Sequence, residues 1–233
     1  IKPSQRAVCF MEMYNSDGSR SAMCGNGIRC VARYIYEAGY THYSTEFSIE
    51  TSVGVHGQRV HVKDGKVVAV TSKLGRPRLE RPEIPMKGEG TAINYPLEVA
   101  GRRFVATSLS VGNPHTVIFV ADADGAPVEE VGPLVEHHVL FPERTNVEFV
   151  QVVSKSRLRM RVWERGSGVT LACGSGAAAS VVAAVETGRT GRKVMVELAL
   201  GKLEIHYPEQ GELERSEERR VGKECRSRWS PYH

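Results

Sequence analysis

Cys24-Gly25-Asn26-Gly27 and Cys173-Gly174-Ser175-Gly176 are the two stretches from which the rest of the chain can be read. They lie 149 residues apart, and the offset holds beyond the tetrapeptide. Gly39, fifteen residues after Cys24, corresponds to Gly188, fifteen after Cys173. Upstream, Tyr14 corresponds to Trp163 and Asn15 to Glu164. After a two-residue slip, Glu50-Thr51-Ser52-Val53-Gly54 resembles Glu197-Leu198-Ala199-Leu200-Gly201. One Cys-Gly-x-Gly carries little weight. Repeated with matching flanks, it signals an internal duplication, which shapes the fold more than any local propensity. The chain therefore reads as two related halves, an N-terminal lobe over 1–92 and a C-terminal lobe over 93–211, followed by a tail over 212–233.

Each half reads in the same order. A strand (8–14; 158–163) runs into a Gly/Ser-rich turn, then the cysteine, then a helix of about four turns. In the first helix Ile28, Val31, Ala32, Ile35 and Ala38 recur at helical spacing and form one apolar face. Gly39 is placed to end that helix as a left-handed C′ residue. The second helix, over 177–186, is apolar nearly all round, which predicts burial on every side. Strands follow each helix, at 47–55, 60–62 and 67–70 and at 194–198 and 203–206. The fold class is α+β: two pseudo-symmetric lobes, each a mostly antiparallel curled β-sheet around a central helix.

The repeat also makes expectations about both ends. Val111-Gly112-Asn113-Pro114-His115 precedes Cys173, and its counterpart in the first half would fall before residue 1. The first half is thus read as lacking about forty N-terminal residues. The second half is read as lacking its closing strand, because 214–217 is a poor strand sequence. Residues 212–233 carry six Lys/Arg and five Asp/Glu with few apolar residues, and read as a solvated charged tail or as non-native linker sequence.

Composition bounds the class. The 233 residues are 41% apolar and 25% charged, close to the globular average and far from disorder or coiled coil. A net charge of +4 is too small an excess to imply nucleic acid. Five cysteines are too few for a disulfide scaffold, so reduced thiols and a cytoplasmic location are expected. No apolar run is long enough to span a membrane. Cys24 and Cys30 are six apart with no histidine pair to complete a zinc site, and the Gly turns lack the Lys-Ser/Thr of a P-loop. Neither a metal nor a cofactor is expected. Cys9, Cys30 and Cys225 are read as structural.

A cysteine at a helix start has specific chemistry. Unpaired N–H groups and the positive end of the helix dipole favour the thiolate, so the thiol pKa is expected to fall toward neutrality. The same N–H groups, at Gly25 and Asn26 and at Gly174 and Ser175, can hold a carboxylate. Two such starts in facing lobes would place sulfurs on opposite sides of one carbon. One thiolate would remove an α-proton and the other thiol return one on the opposite face, inverting the stereocentre by acid–base chemistry.

At these residues the sequence resembles the diaminopimelate epimerase family. The resemblance is carried by Asn15-Ser16-Asp17-Gly18-Ser19, Met23 to Arg29, Gly112 to His115, Arg144-Thr145-Asn146-Val147-Glu148-Phe149, Trp163-Glu164-Arg165-Gly166 and Ala172 to Gly176. It implies cofactor-independent interconversion of L,L- and meso-diaminopimelate in lysine and peptidoglycan synthesis, with Cys24 and Cys173 as the acid/base pair. It implies that Gly25, Asn26, Gly174 and Ser175 hold the reacting carboxylate. Asn15, Asn113, Asn146, Glu164 and Arg165 would line the rest of the substrate site, Arg165 clamping the distal carboxylate and Glu164 pairing an ammonium group. His115 is set aside as a structural turn residue. A homodimer is compatible with the resemblance; nucleic-acid and membrane partners are not expected.

The chain departs from the family pattern in its missing N-terminal His-Gly-x-Gly-Asn motif, its atypical tail, and Val169 where many members carry Glu. The rival readings are a proline or hydroxyproline racemase, a thiol-bearing anion-binding module without catalysis, and an inactive fragment.

Overall fold

The computed structural model describes residues 1–14, 20–21, 25–210 and 212–218; for Ser21, Asn26, Glu217 and Glu218 it describes the backbone. The first half contributes β1 (Cys9–Phe10), β2 (Met13–Tyr14), β3 (Arg20–Ser21), α1 (Gly25–Glu37), β4 (Glu46–Thr51), β5 (Gly54–Lys63) and β6 (Lys66–Lys73). The second contributes β7 (Tyr95–Val99), β8 (Arg102–Ser110), β9 (Pro114–Phe119), α2 (Val128–Glu136), β10 (Asn146–Ser154), β11 (Arg157–Glu164), β12 (Gly168–Thr170), α3 (Gly174–Glu186), β13 (Lys193–Glu197) and β14 (Lys202–His206). A last strand, β15, spans Glu214–Glu218.

Among the described residues, one large sheet joins both halves in the order β1-β4-β5-β6-β15-β14-β13-β11-β10-β9-β8-β7, with β12 paired to β11. Only β1/β4, β9/β10 and β11/β13 are parallel; the other pairs are antiparallel, as the sheet class anticipated. β2 and β3 form a separate hairpin.

The two helices follow the repeat closely. Both start at the glycine after the cysteine position, and both run thirteen residues. Both end in the same hydrogen-bond pattern. Gly39 N–H donates to Tyr36 O and Tyr40 N–H to Ile35 O; Gly188 N–H donates to Val185 O and Arg189 N–H to Ala184 O. These are Schellman pairs closed by left-handed glycines, at φ 78° and 68°. In α3 the Thr187 hydroxyl adds a side-chain bond, donating to Ala183 O at 2.7 Å.

Three core clusters fill the fold. One gathers Ile28, Ala32 and Ile35 of α1 against Cys9, Ile49, Val60, Val67 and Val70. A second packs α3 against strands β8 to β14 and Leu213. A third lies under β7, β8 and α2, with Phe149 and Phe141 at its centre. α3 is buried continuously from Gly176 to Ala184, as its all-round apolar sequence predicts. The α1 face is shorter than read from spacing: Ala38 lies past the helix end and is exposed.

Three strand expectations are corrected. The strand expected at 47–55 is split by a turn at 52–53 into β4 and β5, and β5 also takes in the stretch expected at 60–62. The strand at 8–14 is broken into β1 and β2, and they join different sheets. The stretch 214–217, rejected as a strand, is one: β15 pairs antiparallel with β14 on one side and β6 on the other. Poor intrinsic propensity is overridden by ladder pairing, with β6 over 214–218 and with β14 over 214–216. The burial still alternates with period two. Leu213 and Arg215 point inward, whereas Glu214 and Ser216 are half-buried. Glu214 faces His206, and Thr71 Oγ1 donates to Ser216 Oγ at 3.2 Å. The tail expectation therefore fails for 212–218, while 219–233 lies outside the described residues.

Candidate active site

Cys173 is the N-cap of α3, with extended backbone (φ −126°, ψ 112°). Its Sγ accepts the Gly176 N–H at 3.3 Å and lies 3.6 Å from Ser175 Oγ. A cysteine thus takes the capping role usually filled by Ser, Thr, Asp or Asn. Gly176 has to be glycine: a Cβ there would fall 2.8 Å from Glu148 Oε1 and 3.2 Å from Cys173 Sγ. The absent side chain lets the Glu148 carboxyl lie against the first turn, beside the sulfur.

Glu148 comes from β10 and is fully buried, as is His115 at the start of β9. Glu148 Oε1 is 2.7 Å from His115 Nδ1, and His115 Nε2 is 3.0 Å from Asn113 Oδ1. Burial holds the Glu148 proton above the usual carboxylate range, against the opposing pull of His115. Asn113 Oδ1 can only accept, so the ring's Nε2–H donates to it. Glu164, at the end of β11, accepts a short hydrogen bond from Thr170 Oγ1 of β12.

These surroundings reverse the expected behaviour of the sulfur. Cys173 is buried, and its pKa is pushed up to about 12. Burial is the largest cause, followed by the Glu164 and Glu148 carboxylates; the Ser175 and Gly176 hydrogen bonds only partly offset them. The helix start does donate to the sulfur, but desolvation and two neighbouring acids win. Cys173 is held as a thiol.

The sequence-predicted residues fall into groups. Cys173, Gly174, Ser175, Asn113 and Glu164 gather around the α3 start. Asn146 is 4% exposed and spends its amide on structure: Nδ2 donates to Pro114 O (2.8 Å), and Oδ1 accepts the Arg165 N–H (2.9 Å). It pins the Gly112–Pro114 turn to the Glu164–Gly166 turn. The Arg165 guanidinium is turned to the surface, where it donates to Glu143 O at 3.0 Å. Val169 is half-exposed on β12. Cys24 and Asn15 lie outside the described residues, as does the side chain of Asn26.

Gly25 belongs to the same place as Gly174. One side chain, Arg215 of β15, touches both. A Cβ at Gly25 would sit 2.5 Å from Arg215 Nη1, and a Cβ at Gly174 would overlap the guanidinium outright. The starts of α1 and α3 therefore converge within the span of one guanidinium, and the two helices pack against each other. The converging ends bring two sets of helix-start N–H groups to one point.

Sequence reasoning missed three residues here. Glu148 sits two residues after Asn146 in a strand, so both face the same side; that alternation was a readable signal. His115 was set aside as structural, yet it bridges Glu148 to Asn113. Arg215 lies in a stretch read as tail. Among the described residues, no group of three or more His, Cys, Asp or Glu could hold a metal ion, and no helix is long and apolar enough to cross a membrane.

Comparison with known proteins bears on the fold and the family. In solved structures, the fold resembles a hydroxyproline epimerase from Agrobacterium vitis (TM-score 0.68, 15% identity, covering 91% of this chain and 67% of that one). It also resembles a probable proline racemase from Agrobacterium radiobacter (TM-score 0.69, 13% identity, covering 92% and 70%). At these identities the likeness is one of fold. Sequence relatives are much nearer. The diaminopimelate epimerase of Moorella thermoacetica is 51% identical over 208 residues, covering 89% of this chain and 74% of the relative. That of Pelotomaculum thermopropionicum is 50% identical over 210 residues, covering 90% and 75%. The family model for diaminopimelate epimerase matches residues 1–80 and 107–221, so the lobes, the capped cysteine and the converging helix starts are those of a member of the diaminopimelate epimerase family.

Proposed function

We propose that this chain epimerises diaminopimelate between its L,L and meso forms by a two-cysteine acid–base mechanism, using groups of its own. The observation that carries the reading is the convergence of the α1 and α3 starts, with a cysteine position immediately before each. The reacting carboxylate rests on the N–H groups of Gly25, Asn26, Gly174 and Ser175. Charge that develops on it as the α-carbon loses its proton meets preorganised donors, often the largest single catalytic contribution. Cys173, held as a thiol, is the proton donor in the state described, and Cys24 is the base on the opposite face. In the reverse direction the roles exchange, and the pair titrates as a unit.

The other residues act around that centre. Glu164, fixed by Thr170, pairs an ammonium group. Asn113, held by His115, and Asn15 serve polar ends of the substrate. Asn146 lines the pocket while joining its two turns. Arg165 reaches the distal carboxylate by leaving the Glu143 carbonyl, a surface bond that is cheap to exchange. A homodimer in the cytoplasm completes the proposal.

The test is α-proton exchange. L,L-diaminopimelate is incubated with the chain in deuterium oxide, and the α-signal is followed by NMR. Exchange that disappears in Cys173→Ser supports the mechanism. Exchange that survives the substitution overturns it. Exchange on proline with none on diaminopimelate overturns the substrate in favour of a racemase.

A further inference from the structure

The turn that carries Glu164 and Arg165 is held from behind by one carboxylate. Glu136, the last residue of α2, is 3% exposed. Its Oε2 accepts the Trp163 indole Nε1–H at 2.6 Å, and its Oε1 accepts the Gly166 N–H at 3.0 Å. Arg144 Nη1 lies 3.7 Å from Oε1 and supplies a countercharge. A carboxylate this far from water is tolerable only with such partners. The helix that presents it is seated closely. Gly132, four residues earlier on the same face, has no room for a side chain: a Cβ there would stand 2.6 Å from Trp163 Cβ.

Arg165 thereby stands between two clamps. Its own N–H donates to Asn146 Oδ1 of β10 at 2.9 Å, and the next N–H, that of Gly166, donates to Glu136 of α2. The peptide groups on both sides of its α-carbon are fixed by side chains from two different elements. The guanidinium lies beyond them at the surface, on the Glu143 carbonyl. A long side chain on a fixed root has less freedom to lose when it closes on a ligand. The proton transfer between the two cysteines makes no use of Glu136.

We propose that Glu136 is a positioning residue for substrate recognition: by holding the Gly166 N–H and the Trp163 indole it sets the root of Arg165, and with it the grip on the distal carboxylate. This inference rests on the reading of Arg165 as the clamp for that carboxylate.

The test is binding of meso-diaminopimelate, titrated calorimetrically into the chain, Glu136→Gln, Glu136→Asp, Arg165→Ala and the double variant of Glu136→Gln with Arg165→Ala. Glutamine keeps the size but can accept at one atom instead of two; aspartate keeps the charge but falls one methylene short. Each is expected to raise Kd about tenfold, the worth of one hydrogen bond to a charged group, with the binding stoichiometry unchanged. A merely structural role would lower the stoichiometry through unfolded protein and leave Kd where it is, and that result overturns the proposal. If Glu136→Gln fails to fold, Glu136→Asp decides by the same criterion. On top of Arg165→Ala, Glu136→Gln should raise Kd by less than about twofold more, because both act through one contact. A further tenfold rise overturns the proposal. Alpha-proton exchange at saturating substrate should stay within about threefold in Glu136→Gln; a larger loss at unchanged Kd assigns Glu136 to the chemistry and overturns it too. Unchanged Kd in Arg165→Ala, or no binding by the unaltered chain, sinks the clamp reading and this proposal with it. Kd raised in Arg165→Ala but unchanged in both Glu136 variants sinks this proposal alone.

Discussion

α1 and α3 are the same helix in two settings. They begin and end at equivalent positions, and both close with a Schellman glycine. Their middles differ. Arg33, Tyr34 and Cys30 of α1 correspond to Val182, Ala183 and Ala179 of α3. The first three are polar or open to solvent, and the last three are completely buried. The difference teaches that the ends of the helix are set by the duplicated motif, whereas its sides are set by how much sheet surrounds it. α3 is wrapped by strands from β8 to β14, and α1 packs on β5, β6 and one side of α3. A site built where the two starts meet has one deeply buried wall.

The largest effect that would test this comparison is on chemistry. Cys173→Ala should lower diaminopimelate epimerisation by about 10²–10⁴-fold, the usual worth of a positioned acid or base. Cys30→Ala, on the open side of α1, should leave the rate within about twofold, since surface positions rarely matter. A coupled-assay rate for Cys173→Ala near that of the unaltered chain would break the assignment.

Transplanting side chains between the helices comes next. Ala183→Tyr puts the α1 side chain into the filled surroundings of α3 and should cost about 3 kcal/mol or more by overpacking. Tyr34→Ala, the reverse exchange, removes a side chain that is 55% exposed and should change stability by about 0.5 kcal/mol or less. Urea denaturation of the pair measures both; equal costs would mean that the helices are equally enclosed.

The two halves should also answer pH with opposite sign. Burial raises the Glu148 pKa, so the folded state keeps a proton that the unfolded chain has lost, and stability falls as pH climbs above the usual glutamate range. In the first half, Glu12 is lowered, chiefly by its hydrogen bond from Lys2, with Arg20 also nearby. Its contribution is present above the usual range and is lost on acidification. Glu148→Gln should flatten the fall on the alkaline side, and Glu12→Gln should remove a smaller part of the acid-side loss. A stability profile unchanged in Glu148→Gln would show that the burial cost is met elsewhere.

The smallest effect is expected on the solvent face of α1. Arg33 donates to Glu37 one turn along, at 2.7 Å. Arg33→Ala should cost about 0.5 kcal/mol or less, and the loss should shrink in high salt. Val182→Ala, at the equivalent position of α3, should cost about 2 kcal/mol.

Periodicity and the repeat were enough to read both central helices, their glycine stops, the buried character of α3 and the α+β class. The cysteine and its glycine were read from the repeated helix start, whereas Asn113 and Glu164 were named by the family resemblance. What escaped depends on tertiary surroundings. Glu214–Glu218 has no strand signature of its own and becomes a strand because two neighbours complete its ladder. The shift of Cys173 depends on desolvation and on Glu148 and Glu164, which approach from β10 and β11. Helix position alone argued for the opposite direction. α2 was missed because its sequence carries an internal Pro133 and a weak pattern; it is held by packing on β10 and β11.

The placement of β15 has a consequence for synthesis. Thr71 and Ser216, bonded across neighbouring strands, are 145 residues apart in sequence. As the chain leaves the ribosome, β4, β5 and β6 can pair at once, but the outer edge of β6 has no partner until nearly the whole described chain has been made. Contacts of such separation form slowly, and an open strand edge invites pairing with another chain meanwhile. The edge of β6 is thus exposed to stray pairing until β15, the last described strand, closes it.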